Sequence, residues 1–220
     1  AATRGTVVKV SARRNIENRL HRYGFVAVAG VDEVGRGCLA GPVMAGAVIL
    51  HPDRRIDGLA DSKACTLAQR ERLHDEICKK AVAWAVVAVE PDEIDRINIL
   101  EATKLAMRRA LGELVPAPDY VLIDAVSLTG VAMPVRPIIK GDALSLSIAA
   151  ASIVAKVTRD RLMARFHEIY PQYNFLSHKG YGTEEHLARL AEYGPSPIHR
   201  RTFAPVSAML GTTALEAARP

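Results

Sequence analysis

The sequence predicts an α/β fold, in which a mixed β-sheet is flanked by helices and followed by a helical carboxy-terminal portion. Two apolar runs, at residues 25–31 and 42–50, are rich in valine and small residues and stand close enough to pair as antiparallel strands. From residue 67 onward, segments of helical period alternate with further strand-like runs. Paired strands followed by this alternation are typical of a mixed sheet covered by helices.

Capping and breaking residues place two helices in the first half of the chain. Thr66 and Gln69 have the spacing of a capping box and predict a helix over residues 67–79. Pro91 suits the first turn of a second helix. Apolar residues recur every three or four positions from there until Pro116, which ends that helix.

The other predicted elements are shorter or lie later in the chain. They are a weak helix at residues 16–22, strands at 81–89, 120–123 and 135–139, an alanine-rich helix at about 143–169, and a helix between Thr183 and Gly194. We expect the strand at 81–89 to be buried on both faces, because apolar residues occupy both of its sides. We expect loose order from about Gly211.

Length and composition indicate a globular protein. Its 220 residues, 49% of them hydrophobic and 24% charged, are enough for one large domain with a sizeable core. We expect an amino-terminal extension at residues 1–22, a folded domain at 23–205 and a tail at 206–220. The longest apolar stretch falls short of the roughly 20 residues that span a bilayer. Residues 1–9 lack the pattern of a secretory signal, so we expect a cytoplasmic protein.

The cysteines and the net charge indicate the state of the thiols and the kind of partner that the protein binds. Cys38, Cys65 and Cys78 lack the spacing of a metal site, which indicates reduced thiols. The formal net charge of +5 favours a polyanionic partner. Basic residues recur in pairs, among them Arg200 and Arg201, and most such pairs are interpreted as solvated faces.

Four acidic residues stand just after predicted strands or in turns: Asp32, Glu33, Asp124 and Asp142. Any one of them could simply form a turn or cap a helix. The ends of neighbouring strands converge, however, and acids brought together are ordinarily held ionised by hard divalent cations such as Mg²⁺ or Mn²⁺. Two such ions would suit phosphoryl transfer, with a phosphodiester of nucleic acid as the substrate.

Seven motifs run in order through the chain. They are GVDEVGRG at residues 30–37, DSK at 61–63, IDA at 123–125, KGD at 140–142, AASIVAKVTRD at 150–160, SHKGYGT at 177–183 and SPIHRRTF at 196–203. Together they resemble the bacterial type 2 ribonuclease H family, ribonuclease HII, over residues 24–205. The resemblance implies a ribonuclease H-like fold and hydrolysis of RNA that is joined to or paired with DNA, with two divalent ions as cofactors.

The resemblance also assigns roles to residues. It implies that the catalytic and metal-binding residues are Asp32, Glu33, Asp124 and Asp142, with Asp32 expected to bridge two ions. It implies that the substrate-binding residues are Gly35, Arg36, Gly37, Lys63, Lys156 and Tyr181. In the family, the Gly-Arg-Gly backbone recognises the ribose 2′-hydroxyl, which distinguishes RNA from DNA. Tyr181 matches the family tyrosine that packs against the deoxyribose after the ribonucleotide, and Lys63 matches a family lysine that contacts phosphate.

Several residues within the motifs keep two interpretations. Lys156 and Arg159 either contact substrate or face solvent, and Asp160 is expected to pair with one of them rather than bind metal. His178 is either structural or catalytic, in a loop expected to contact phosphate. Cys38 is given no role.

Two other functions stay open at this point. A type 3 ribonuclease H would cut longer hybrids, but that family carries an additional amino-terminal nucleic-acid-binding domain and only about 24 residues precede the first motif strand here. A non-catalytic nucleic-acid-binding module would have little reason to present four acids to a polyanion. The expected partners are RNA/DNA hybrids and DNA containing ribonucleotides, bound by a monomer without membrane association.

Overall fold

A five-stranded mixed sheet forms the centre of the protein, which confirms the predicted fold class. The computed structural model describes residues 12–210, apart from the side chains of residues 61–63, so the expectation of loose order from Gly211 lies outside the described residues. The strands are β1 (Val28–Val34), β2 (Val43–Ile49), β3 (Ala83–Val89), β4 (Tyr120–Asp124) and β5 (Val135–Ile138). Their spatial order is β3-β2-β1-β4-β5.

Helices cover both faces of this sheet. They are α1 (Asn15–Arg22), α2 (Leu67–Lys80), α3 (Pro91–Ile97), α4 (Ile99–Gly112), α5 (Leu146–Ile169), α6 (Phe175–His178) and α7 (Glu184–Tyr193). Buried side chains of α4 pack with β1, β2 and β4 on one face. Those of α2 and α5 form a second cluster on the other face, around Val48. None of the helices within residues 12–210 is long and apolar enough to cross a membrane.

The predicted antiparallel pairing of the first two strands is confirmed, since β1 pairs with β2 in that direction. β2 also pairs with β3 in antiparallel fashion. β4 lies parallel to both β1 and β5. The capping box predicted at Thr66 and Gln69 is present at the start of α2, and Thr183 caps α7 through the backbone N–H of His186.

Three details of the prediction are wrong. β1 continues past Val31 to Val34, because β2 still pairs with it there. β3 is not buried on both faces, since it lies at the edge of the sheet and Trp84 is 42% exposed. The single helix predicted between the two prolines is interrupted at Asn98, whose positive φ of 69° ends α3 and whose side chain caps α4.

Two glycines let α5 approach the sheet closely. A Cβ at Gly30 of β1 would overlap the backbone of Ser147, and one at Gly46 of β2 would overlap the carbonyl oxygen of Ala151. Helix α5 is itself rich in buried alanine. Small residues on both sides therefore bring the α5 backbone against β1 and β2.

Helix α1, within the predicted amino-terminal extension, packs against this domain. Leu20 contacts the cluster that contains Val28 and Ile148. Glu17 is buried, and its Oε1 accepts hydrogen bonds from the hydroxyl of Ser145 at 2.6 Å and the N–H of Ser147 at 2.9 Å. A carboxylate is favourable at a helix amino terminus, so α1 helps to fix the start of α5.

Candidate active site at the ends of the central strands

Three of the four predicted acids lie together at the ends of β1 and β4. The two strands run parallel, and their last paired residues are Val31 and Ile123, so Asp32 and Asp124 come next on neighbouring strands. Glu33 follows Asp32 in β1, still paired with β2. Asp32 is only 8% exposed.

Burial and like charge act on these carboxyl groups. Burial, opposed by a hydrogen bond from Ser152 of α5 and reinforced by the nearby Glu33 and Asp124, raises the pKa of Asp32 to about 8. Burial also raises the pKa of Glu33. The nearby Arg36 lowers this pKa, and Asp124 raises it. The three acids are therefore close enough to repel one another, and a cation would relieve that repulsion.

The fourth acid is tied to this group through its neighbour. Asp142 lies in a 3₁₀ turn, Gly141–Ala143, between β5 and α5. The backbone N–H of Gly141 donates to Oδ1 of Asp124 at 2.9 Å. The turn therefore holds Asp142 beside the end of β4.

These acids are gathered, but their side chains do not form a finished metal site. Within residues 12–210, no group of three or more histidine, cysteine, aspartate or glutamate side chains is arranged so that it could hold a metal ion as it stands. Oε1 of Glu33 instead accepts a hydrogen bond from Arg36 at 3.1 Å. Its Oε2 is buried and lacks a hydrogen-bond partner among the described residues.

The loop after β1 presents backbone to solvent. Gly35 has a positive φ of 86°, which favours glycine, while Arg36 and Gly37 are exposed. Tyr181 lies beside this loop, because its backbone forms an isolated β-bridge with Cys38. The Tyr181 side chain is 40% exposed. The structure thus brings the predicted Gly-Arg-Gly segment and the predicted tyrosine together.

The two predicted lysines have different surroundings. Lys63 lies in the 3₁₀ turn Leu59–Ala64, and its side chain lies outside the described part of the structure. Lys156 of α5 is partly buried and forms a salt bridge of 2.7 Å with Asp160. That pair agrees with the expectation that Asp160 binds a basic neighbour.

Some residues have places in the structure that the sequence did not indicate. Arg159 is fully buried, which excludes the solvent-facing alternative. Arg200 is also fully buried, which makes it an exception to the expectation that most basic pairs are solvated. His178 is buried, with Nε2 bonded to the carbonyl of Tyr173 at 2.8 Å, so its environment is structural. Ser152 was not singled out either. The only feature of the sequence that could have pointed to Arg200 and Ser152 is that each lies within one of the motifs.

Comparisons with known proteins agree with the motifs. The family model described as Ribonuclease HII matches residues 29–206. A curated Ribonuclease HII from Desulfitobacterium hafniense is 50% identical over 202 residues, covering 92% of this chain and 78% of that protein. One from Paracidovorax citrulli is 56% identical over 186 residues, covering 84% of this chain and 78% of that protein.

Solved structures show the same fold. The ribonuclease H2 from Pyrococcus horikoshii OT3 superposes with a TM-score of 0.74 at 28% identity, covering 86% of this chain and 99% of that one. The structure of Bst-RNase HIII in complex with Mn²⁺ gives a TM-score of 0.62 at 19% identity, covering 87% of this chain and 71% of that one. At this identity the likeness shows the fold alone. The family match and the curated relatives place the chain with type 2 rather than type 3 enzymes. The chain belongs to the ribonuclease HII family, whose members are endonucleases that hydrolyse phosphodiester bonds.

Proposed function

We propose that this endonuclease cuts the phosphodiester on the 5′ side of ribonucleotides, both in RNA/DNA hybrids and at single ribonucleotides embedded in duplex DNA. The products would carry 3′-hydroxyl and 5′-phosphate ends. One observation carries the proposal: the segment Gly35–Gly37, with Arg36 and Gly37 exposed, begins two residues after the acids Asp32 and Glu33, and Tyr181 lies beside it. Groups suited to recognising a sugar therefore adjoin groups suited to cutting beside it.

We further propose that Asp32, Glu33, Asp124 and Asp142 hold two divalent ions, Mg²⁺ or Mn²⁺. Their donor chemistry fits, because both ions prefer carboxylate oxygen. The buried Oε2 of Glu33, without a partner among the described residues, is available to such an ion. The side chains would turn toward the ions on binding, because the ions would offset the repulsion among the carboxylates. When bound, the ions would activate water and stabilise charge on the phosphate oxygens.

The chain's own residues supply position and specificity in this proposal. The backbone of Gly35, Arg36 and Gly37 would donate to the ribose 2′-hydroxyl, which DNA lacks. Tyr181 would pack its exposed ring on the following deoxyribose. Lys63 and Lys156 would contact phosphates, Lys156 from its place beside Asp160.

A cleavage assay tests the proposal directly. Two duplexes, one with a single ribonucleotide and one a full RNA/DNA hybrid, are incubated with Mg²⁺, with Mn²⁺ and with EDTA. We expect cleavage of both with metal and none with EDTA. Asp32→Asn and Asp142→Asn should abolish cleavage while duplex binding stays detectable, and the exposed Asp92→Asn should cut at the wild-type rate. Wild-type cleavage by Asp32→Asn would refute the assignment.

We also propose that the protein acts as a monomer in the cytoplasm. All residues of the proposed site come from one chain, and Cys38, Cys65 and Cys78 are thiols, as expected in a reducing compartment. Sedimentation of the active enzyme and fractionation of cells test these two points.

A further inference from the structure

Two arginines lie fully buried behind the substrate-facing loops. Arg159 of α5 and Arg200 near the carboxy terminus are both 0% exposed. Burial lowers the pKa of Arg200 to about 10, which still leaves it charged at neutral pH. Buried cations cost several kcal/mol in desolvation, and here main-chain carbonyls rather than carboxylates satisfy them. Such a costly pair calls for an explanation beyond packing.

Arg200 holds the carbonyls of the Gly-Arg-Gly segment. Its Nη2 donates to the oxygen of Gly35 at 2.6 Å, its Nη1 to that of Arg36 at 2.8 Å, and its Nε to that of Gly41 at 3.0 Å. In a planar trans peptide, the C=O and the next N–H point in opposite directions. By fixing the carbonyls of Gly35 and Arg36 inward, Arg200 aims the N–H groups of Arg36 and Gly37 away from the core.

Arg159 joins the same region to the loop that carries Tyr181. Its three nitrogens donate to the carbonyls of Pro42 at 3.1 Å, Ala40 at 3.1 Å and Lys179 at 2.9 Å. The Arg159 guanidinium also fills the space beside Gly35, where a Cβ would overlap it. The two loops are therefore fixed relative to one another through one side chain.

We propose that Arg159 and Arg200 are positioning residues that set the recognition of the ribose 2′-hydroxyl by orienting the backbone of Gly35–Gly37 and of the Tyr181 loop. This inference rests on the proposed role of those loops and extends it to residues that do not touch substrate. The planar guanidinium suits the task, because its rigid fork can bind several carbonyls at once. Lysine keeps the charge but concentrates its donors on one atom, so it would hold fewer carbonyls.

The test compares binding to two duplexes that differ by one 2′-hydroxyl. Fluorescence anisotropy in EDTA gives the Kd of each protein for an all-DNA duplex and for the same duplex with a single ribonucleotide. We expect the wild-type protein to bind the ribonucleotide duplex more tightly. In Arg200→Lys that preference should fall by about fivefold, the size of one ordinary hydrogen bond, while the affinity for all-DNA duplex changes less than about twofold.

Arg201→Lys is the matched control, because Arg201 is the exposed neighbour of Arg200. It should keep both affinities. An unchanged preference in folded Arg200→Lys, or an equal loss for both duplexes, would overturn the inference while leaving the proposed function standing. Equal wild-type affinity for the two duplexes would instead remove the proposed recognition itself, and the inference with it.

Folding of the variants is checked by thermal unfolding. Should Arg200→Lys fail to fold, Arg159→Lys provides the same measurement, with the same expected loss of preference. Failure of both variants to fold would assign the two arginines to stability alone and overturn the proposal.

Discussion

The imidazole rings of His186 and His199 share a hydrogen bond of 3.0 Å between their Nε2 atoms. Nδ1 of His199 accepts from the N–H of Ser196 at 3.0 Å, so its Nε2 carries the proton that it donates to His186. Nδ1 of His186 then donates to the carbonyl of Tyr181 at 2.9 Å. This arrangement is complete when both rings are neutral, because a second proton would place two N–H groups against each other.

Stability should therefore fall as the pH decreases through the histidine range. Burial lowers the pKa of both His186 and His199 to about 4 from the usual 6.5. Between these values the unfolded chain binds protons that the folded chain does not, so the free energy of unfolding drops as pH falls from about 6.5 to about 4. The two groups together contribute at most about 3 kcal/mol per pH unit in that window.

Urea unfolding at a series of pH values measures this slope. Other groups titrate as well, so the difference between the wild-type protein and the double variant His186→Phe with His199→Phe isolates the pair. The variant should lose stability less steeply below pH 6.5. Parallel curves for the wild-type protein and the double variant would contradict the prediction.

Gly30→Ala should destabilise the protein strongly. Its Cβ would meet the backbone of Ser147, which cannot move aside as a flexible side chain could. We expect a loss of about 3 kcal/mol or more in the free energy of unfolding, since overpacking against a rigid helix displaces α5. Gly112→Ala, where a Cβ meets nothing within 4 Å, serves as the control in the same urea titration. If Gly30→Ala lowers the free energy of unfolding no more than Gly112→Ala does, α5 does not pack against Gly30 as closely as described.

Asn98 should prove important as a helix cap and as a residue of unusual backbone conformation. Its Oδ1 accepts from the N–H groups of Leu100 at 3.0 Å and Glu101 at 3.1 Å, while its φ is 69°. Asn98→Ala loses the cap and strains the backbone, with an expected cost of about 2 to 3 kcal/mol. Asn98→Gly loses the cap alone and should cost less. Thermal unfolding measures the stability of both variants. If Asn98→Gly were less stable than Asn98→Ala, backbone strain at this position would be ruled out.

Arg36→Ala and Tyr181→Ala should weaken single-ribonucleotide cleavage more than they weaken binding to plain duplex DNA. Both side chains are exposed beside the proposed sugar-recognition loop. We expect kcat/KM at a single ribonucleotide to fall by about tenfold or more, and the affinity for all-DNA duplex to fall by a few-fold at most. Tyr193→Ala, an exposed tyrosine on α7, is the control for the tyrosine. Equal losses in both assays would argue against recognition of the RNA–DNA step.

Elements with strong local signals were predictable. The apolar runs of β1 and β2, the capping box of α2 and the threonine cap of α7 depend on neighbouring residues, and the structure confirms them. The edge position of β3 was not predictable, because the order of strands in a sheet depends on tertiary packing and not on the residues of the strand itself. The break at Asn98 was missed for a related reason, since the apolar period continues unchanged through it.

The sequence by itself determined the fold class, through its apolar runs and helical periods. It also singled out the four acids and the Gly-Arg-Gly segment of the proposed site, because these are short motifs of distinctive chemistry. Tertiary structure alone decided that Asp32 and Glu33 approach Asp124, since their strands meet across about 90 residues of chain. It also decided that Arg159 and Arg200 are buried. Arg200 and Gly35 are 165 residues apart, and burial at such a distance depends on packing that no local pattern records.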